Sequence, residues 1–228
     1  MNKLLNKILC CSALLCSALP AHAQIIVSDA IVEMDNQGAL IENIAVGNAH
    51  HDHSFTVTPK VYEVQNPGST QEILTETNTV FVVPNQFQLS PRSQRPVRIA
   101  SKVRPEVEKV YKIDFLPQKA ETTEPEKSAI SVLSSTSVMT IIRPLNPEDN
   151  LKWQRSENQI TFQNIGNTNI VLRQPKQCTE NVECTIPGER LWPNDTWNLQ
   201  LPDAIAMENI KLEYRALGNI KEIIIPYE

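Results

Sequence analysis

From Ser128 to Pro144 the chain reads Ser-Ala-Ile-Ser-Val-Leu-Ser-Ser-Thr-Ser-Val-Met-Thr-Ile-Ile-Arg-Pro, with no glycine, no internal proline and no charge before Arg143. Val, Ile, Thr and Ser in this density are strand composition. At about 3.3 Å per residue such a strand would run roughly 50 Å, where an ordinary one has about five or six residues. A helix is disfavoured, because the serines and threonines compete for helical hydrogen bonds and the β-branched residues lose rotamer freedom. Long strands present long edges, which proteins normally blunt with Lys, Pro or bulges. The first half of this one is not blunted. Either it lies centrally in a sheet, or its edge is meant for a partner.

The start of the chain reads as an export signal over residues 1–23. Lys3 and Lys7 supply a basic beginning, Ile8 to Leu19 an uncharged apolar run, and Ala21-His22-Ala23 a cleavage site, so a mature chain starting at Gln24 is expected. The apolar run is too short to span a bilayer. Lipid attachment at Cys10, Cys11 or Cys16 is disfavoured, since Leu15 precedes Cys16 where a small residue is needed. The formal net charge of −5 becomes more negative once Lys3 and Lys7 are removed. That argues against nucleic acid, anionic membrane surfaces and membrane insertion. Of the five cysteines, Cys178 and Cys184 remain after cleavage. An even pair in an oxidising compartment predicts one disulfide. Two cysteines cannot complete a zinc site, and their spacing is not a usual redox spacing.

Downstream of Gln24 come short β-like runs separated by turn clusters. Strands are expected over Ile25–Met34, Ala39–Val46, Phe55–Val64, Thr79–Val83, Phe87–Leu89, Val97–Ala100 and Tyr111–Leu116, before the long run. Pro59 marks its strand as an edge or a bulge, and Asn66-Pro67-Gly68 is a turn. This spacing predicts an all-β sandwich over residues 24–145. Pro144 and Pro147 then form a short, semi-rigid linker. A second, smaller β-sandwich is expected over 150–228, with strands at Ile160–Gln163, Ile170–Arg173, Trp197–Leu201, Ile210–Arg215 and Ile220–Pro226. Asn164-Ile-Gly-Asn167 reads as a hairpin-like turn between the first two.

His50-His51-Asp52-His53 has metal-ligand chemistry. Neighbours on a strand point to opposite faces, so His51 with His53, or His50 with Asp52, could converge. The plainer reading is a polar turn. Nucleophile elbows, His-Glu-x-x-His and glycine-rich phosphate loops are absent, so no enzyme and no cofactor is expected. Glu106 and Glu108 sit in a charged, proline-containing loop and read as solvated surface. Trp153, Trp192 and Trp197 could stack on sugars, as in a secreted adhesion or carbohydrate-binding module, but core packing is the plainer reading.

The run Val80-Phe-Val-Val-Pro-Asn-Gln-Phe-Gln-Leu-Ser-Pro91, Arg95-Pro-Val-Arg-Ile99, Val110-Tyr-Lys-Ile-Asp-Phe115, Ile130-Ser-Val-Leu133 and Ile141-Ile-Arg-Pro144, with Phe162 to Asn167, resembles the periplasmic pilus chaperones of the chaperone–usher pathway. Asn66-Pro-Gly68, the cysteine pair and Pro187-Gly188 look closest to the alternate branch serving alpha-type fimbriae. The resemblance implies two immunoglobulin-like β-sandwich domains joined at an angle, located in the periplasm. It implies a non-enzymatic protein that caps fimbrial or pilin subunits by lending them a β-strand and delivers them to an outer-membrane usher. Ile130 and Val132 would be the donor residues, flanked by Ser128 and Ser134, with Leu133 turned into the protein's own sheet. The family's two basic residues that hold the subunit's C-terminal carboxylate fall here at Met139 and near Ile31 or Val32, none of them basic. Arg143, then Lys112, are the expected replacements, ahead of Arg98, which faces out beside a turn.

Overall fold

The computed structural model describes residues 24–35, 38, 40–119, 133–173 and 186–227. The expected leader, the cysteines Cys178 and Cys184, and the donor positions Ser128, Ile130 and Val132 lie outside the described residues.

Ten strands build two sheets from the first part of the chain. β1 (Ile25–Val27), β3 (Ile41–Asn48), β8 (Gln94–Ser101) and β6 (Val80–Val83) lie in the order β1-β3-β8-β6. The facing sheet runs β2-β10-β9-β4-β5, from β2 (Ile31–Met34), β10 (Thr136–Ile142), β9 (Lys109–Lys119), β4 (Phe55–Gln65) and β5 (Ile73–Glu76), with β7 (Phe87–Leu89) also on β4. Alternation assigns the faces. Tyr111, Ile113 and Phe115 of β9 are buried in the sandwich, with Val138 and Ile142 of β10 and Val97 and Ile99 of β8. Each such side chain contributes roughly 1.5–3 kcal/mol by leaving water. Lys112, Asp114 and Leu116 alternate to the opposite, outer face and are only half-buried.

Three expectations change here. The strand expected over Ile25–Met34 breaks in two, and the halves join different sheets. Ser28 makes the break: its Oγ donates to Asp29 and accepts the Ala45 amide, drawing the backbone out of a continuous ladder. The edge expected at Pro59 is confined to the gap between Phe55–Val57, covered by β7, and Tyr62–Gln65, covered by β5. The proline falls in the gap, where that edge needs no donor. The described strand of the long run begins at Thr136, and Leu133 and Ser134 precede it as exposed non-strand residues, so Leu133 is not turned into the sheet.

The second part of the chain forms sheets β11-β12-β15 and β14-β13-β16-β17. The first comprises β11 (Leu151–Ser156), β12 (Gln159–Asn164) and β15 (Thr196–Gln200); the second β13 (Ile170–Leu172), β14 (Glu189–Leu191), β16 (Ile210–Ala216) and β17 (Asn219–Ile225). Ile160, Phe162, Leu172, Leu199, Leu212 and Ile225 are among its buried core. Asn164 to Asn167 is not a hairpin: β12 and β13 belong to different sheets, and the segment crosses between them. Asn164, fully buried, builds the corner by donating to Thr168 O (2.8 Å) and Leu191 O (3.0 Å) and accepting the Gly166 amide (3.0 Å). A Cβ on Gly166 would stand 2.3 Å from Glu148 O, so only glycine lets the linker pass so closely. Among the described residues, no helix is long and apolar enough to cross a membrane.

Candidate functional site

The two sandwiches meet where β9 begins and β10 ends. Their outer-face residues Val110 and Ile141 pack with Trp192 of the second sandwich into a small apolar cluster, against which Val64 and Met139 lie. Trp192 Nε1 donates to Pro67 O at 2.9 Å, so this ring is a fastening between sandwiches rather than part of one core. Trp197 does pack on a core, stacked on Phe162 with ring centroids 5.7 Å apart, while Trp153 sits more exposed on an edge strand.

Beside the cluster, Arg143 is 7% exposed. Its guanidinium donates to Glu33 (2.8 Å), Asp35 (3.3 Å) and Glu108 (3.3 Å). The Glu108 side chain is fully buried and also accepts from Thr168 Oγ1 (2.7 Å), the Asn169 amide (3.0 Å) and Asn169 Nδ2 (2.8 Å) of the second sandwich. Each partner satisfies a charge that would otherwise be stranded. Arg143 therefore braces Glu108, and Glu108 is the clamp between sandwiches. The expectation that Arg143 anchors a subunit's carboxylate is corrected: three carboxylates of its own chain already hold it, and a fourth would be repelled. Glu108, read from sequence as solvated, is the centre of this joint. Its signal was invisible locally, because its side-chain partners lie 35 to 61 residues away along the chain.

Lys112 has the better position. It sits directly opposite Met139 on β10 and Tyr62 on β4, on the outer face one register step from the apolar cluster. Met139 is in turn opposite Ile31 of β2. Lys112 thus stands on the strand beside the two apolar positions where the resemblance places basic groups. Among the described residues its ion-pair partner is Asp114, at 3.6 Å, and its side chain keeps 36% of its surface. Arg98 is exposed on the far sheet and its Nε reaches Asn43 at 3.4 Å.

β2 pairs, in parallel, with Met139–Ile142 alone. Along Thr136–Val138 that edge of β10 pairs in no ladder among the described residues, and Thr136 Oγ1 donates to Ile25 O of β1 beside it. Beyond it, Ser134 and Leu133 are exposed.

The histidines form the connection between β3 and β4. His50 Nδ1 accepts the amides of Asp52 (3.0 Å) and His53 (3.1 Å), and its ring lies 4.4 Å from that of His53. With Nδ1 accepting, Nε2 carries the proton in the neutral ring and offers a metal no lone pair. His51 instead meets Arg92. Among the described residues no group of three or more potential ligands could hold a metal ion.

No family model and no curated protein matches the chain. Solved structures do. The class 5 fimbriae chaperone CfaA aligns with a TM-score of 0.64 at 17% identity, covering 88% of this chain and 98% of that one. The E. coli chaperone DraB gives 0.56 at 16%, over 90% and 96%. A structure of Salmonella enterica SafA pilin in complex with the SafB chaperone gives 0.55 at 14%, over 90% and 97%. The chain has the two-domain, immunoglobulin-like fold of these fimbrial chaperones.

Proposed function

We propose that the protein is a periplasmic chaperone that binds and caps fimbrial subunits by lending them a β-strand and passes them to an outer-membrane usher. The observation that carries this reading is the half-covered edge of β10. β2 closes Met139–Ile142 and leaves Thr136–Val138 laddered with β9 alone, so a strand of a partner can add there through main-chain hydrogen bonds. Continuing that edge, Ser128, Ile130, Val132 and Ser134 are the donor positions, with Ile130 and Val132 on one face by period two. Lys112, beside Met139, is the group we assign to the subunit's terminal carboxylate, and charge-assisted bonds of that kind contribute ~1.5–3 kcal/mol. A glycan-binding module is not favoured, since Trp192 and Trp197 are committed to the joint and to a core. Neither catalysis nor a cofactor enters the proposal. The sandwiches correspond to 24–145 and 150–228, and Cys178 and Cys184 form a disulfide in the second.

The test is the double substitution Ile130→Ser with Val132→Ser. Donor positions predict a free protein that melts within a few degrees of the parent and no longer co-purifies with pilin or supports surface fibres. If both side chains instead fill this protein's own core, melting drops by ~2–5 kcal/mol per site. Normal melting with normal fibres would remove the strand-lending reading. The same preparations, alkylated without reductant, should take up no label at Cys178 and Cys184; two labels on folded protein would refute the disulfide.

A further inference from the structure

Next to Trp192, whose cluster is joined by the Met139 that lies opposite Lys112, is the outer face of β14, β13 and β16. Three residues form one cross-strand row on that face: Arg190 opposite Val171, and Val171 opposite Arg215. The two arginines are two strand spacings apart, roughly 10 Å between backbones. Both side chains are long enough to lean over the shorter valine between them. Arg190 is held in place. Its guanidinium carbon lies 5.2 Å from the Trp192 ring centroid, and its NH1 donates to Asn169 Oδ1 at 3.0 Å. Burial keeps its pKa below the ordinary guanidinium range; Glu33 and Glu108 counter this, and Arg215 adds to it. Arg215 is exposed, and its side chain makes no hydrogen bond or ion pair with any described residue. Arg143, the other nearby cation, is saturated by its carboxylates.

Two cations held on either side of an apolar floor repel one another unless an anion lies between them. Planar guanidinium forks match a carboxylate in particular. We propose that Arg190 and Arg215 form a carboxylate-binding site on the outer face of the second sandwich, which takes an acidic group of the bound subunit. This rests on the chaperone reading and adds to it a grip from the second sandwich.

The experiment compares short N-acetylated peptides of alternating Val and Thr, one ending in a free carboxylate and one amidated, for binding to the parent protein, to Arg215→Gln and to Lys112→Met. The site predicts that the free acid binds the parent roughly tenfold more tightly than the amide. Arg215→Gln should abolish most of that preference while leaving the melting temperature unchanged or higher, because a like-charge neighbour is removed. A third peptide, amidated but ending in Glu, tells the two carboxylate sources apart: if it recovers the tight binding, the arginine site stands and takes a side chain. A preference that survives Arg215→Gln but disappears in Lys112→Met overturns the arginine site and leaves the chaperone reading intact. Failure of every peptide to bind the parent overturns both.

Discussion

Tyr111 shows how one buried group makes the stability of the fold depend on pH. Its ring is 2% exposed in the first core, and burial, helped by the nearby Glu63 carboxylate, pushes its pKa up to about 12. In the unfolded chain the phenol titrates near ~10. Both states keep the proton below that value, so stability there is independent of this group. Between about 10 and 12 the unfolded state ionises and the folded state does not, and about 2–3 kcal/mol drains away. Urea unfolding from pH 9 to 12 should show this fall, and Tyr111→Phe should flatten it. A parent curve as flat as the variant's would show that the phenol reaches water. The strand over Tyr111–Leu116 was legible because its own segment carries the period-two pattern. The role of Glu108 could not be read that way: nothing in Pro-Glu-Val-Glu-Lys tells a buried carboxylate from a solvated one until Arg143, Thr168 and Asn169 arrive from elsewhere in the chain.

At the scale of the element, β10 carries a small flaw. Thr140 faces inward between Val138 and Ile142, is fully buried, and its hydroxyl finds no partner. A desolvated, unpaired hydroxyl works against folding, whereas a methyl in its place costs nothing polar. Thr140→Val should therefore raise stability by roughly 1 kcal/mol in chemical denaturation. A loss would reveal an unseen hydrogen bond. The strands were largely legible from composition and turns, down to Phe87–Leu89. Their partners were not. The Ile25–Met34 run alternates like one strand, and only Ser28 meeting the Ala45 amide shows that it serves two sheets. Asn164 to Asn167 looks like any short turn, yet Asn164 is spent on the carbonyls of Thr168 and of Leu191 on a distant strand. Exposed strands such as Ile73–Glu76 lack the alternation that would have disclosed them.

For the whole molecule, the joint at Glu108 decides whether the two sandwiches behave as one body. Glu108→Ala strips the partner from Thr168, Asn169 and one side of Arg143 at once. Breaking a buried pair from one side typically costs ~3–5 kcal/mol. Calorimetry should show the parent's transition lowered and split into two, one per sandwich. A single, unshifted transition would mean that the Trp192 cluster suffices alone. The two-sandwich plan was readable from prolines and strand spacing, but the joint was not, because every bond in it is long-range.

The point where β2 starts also acts as a ruler. The Ala30 carbonyl already accepts the Met139 amide at 2.9 Å, so a guest strand laid along Thr136–Val138 meets an occupied slot at Met139 and must stop there. If it runs parallel to β10, the end that stops is its carboxyl end, and it stops beside Lys112. On the proposed function, guest chains would then be measured from their last residue backwards, and subunits of different sequence and length would be received in one common register.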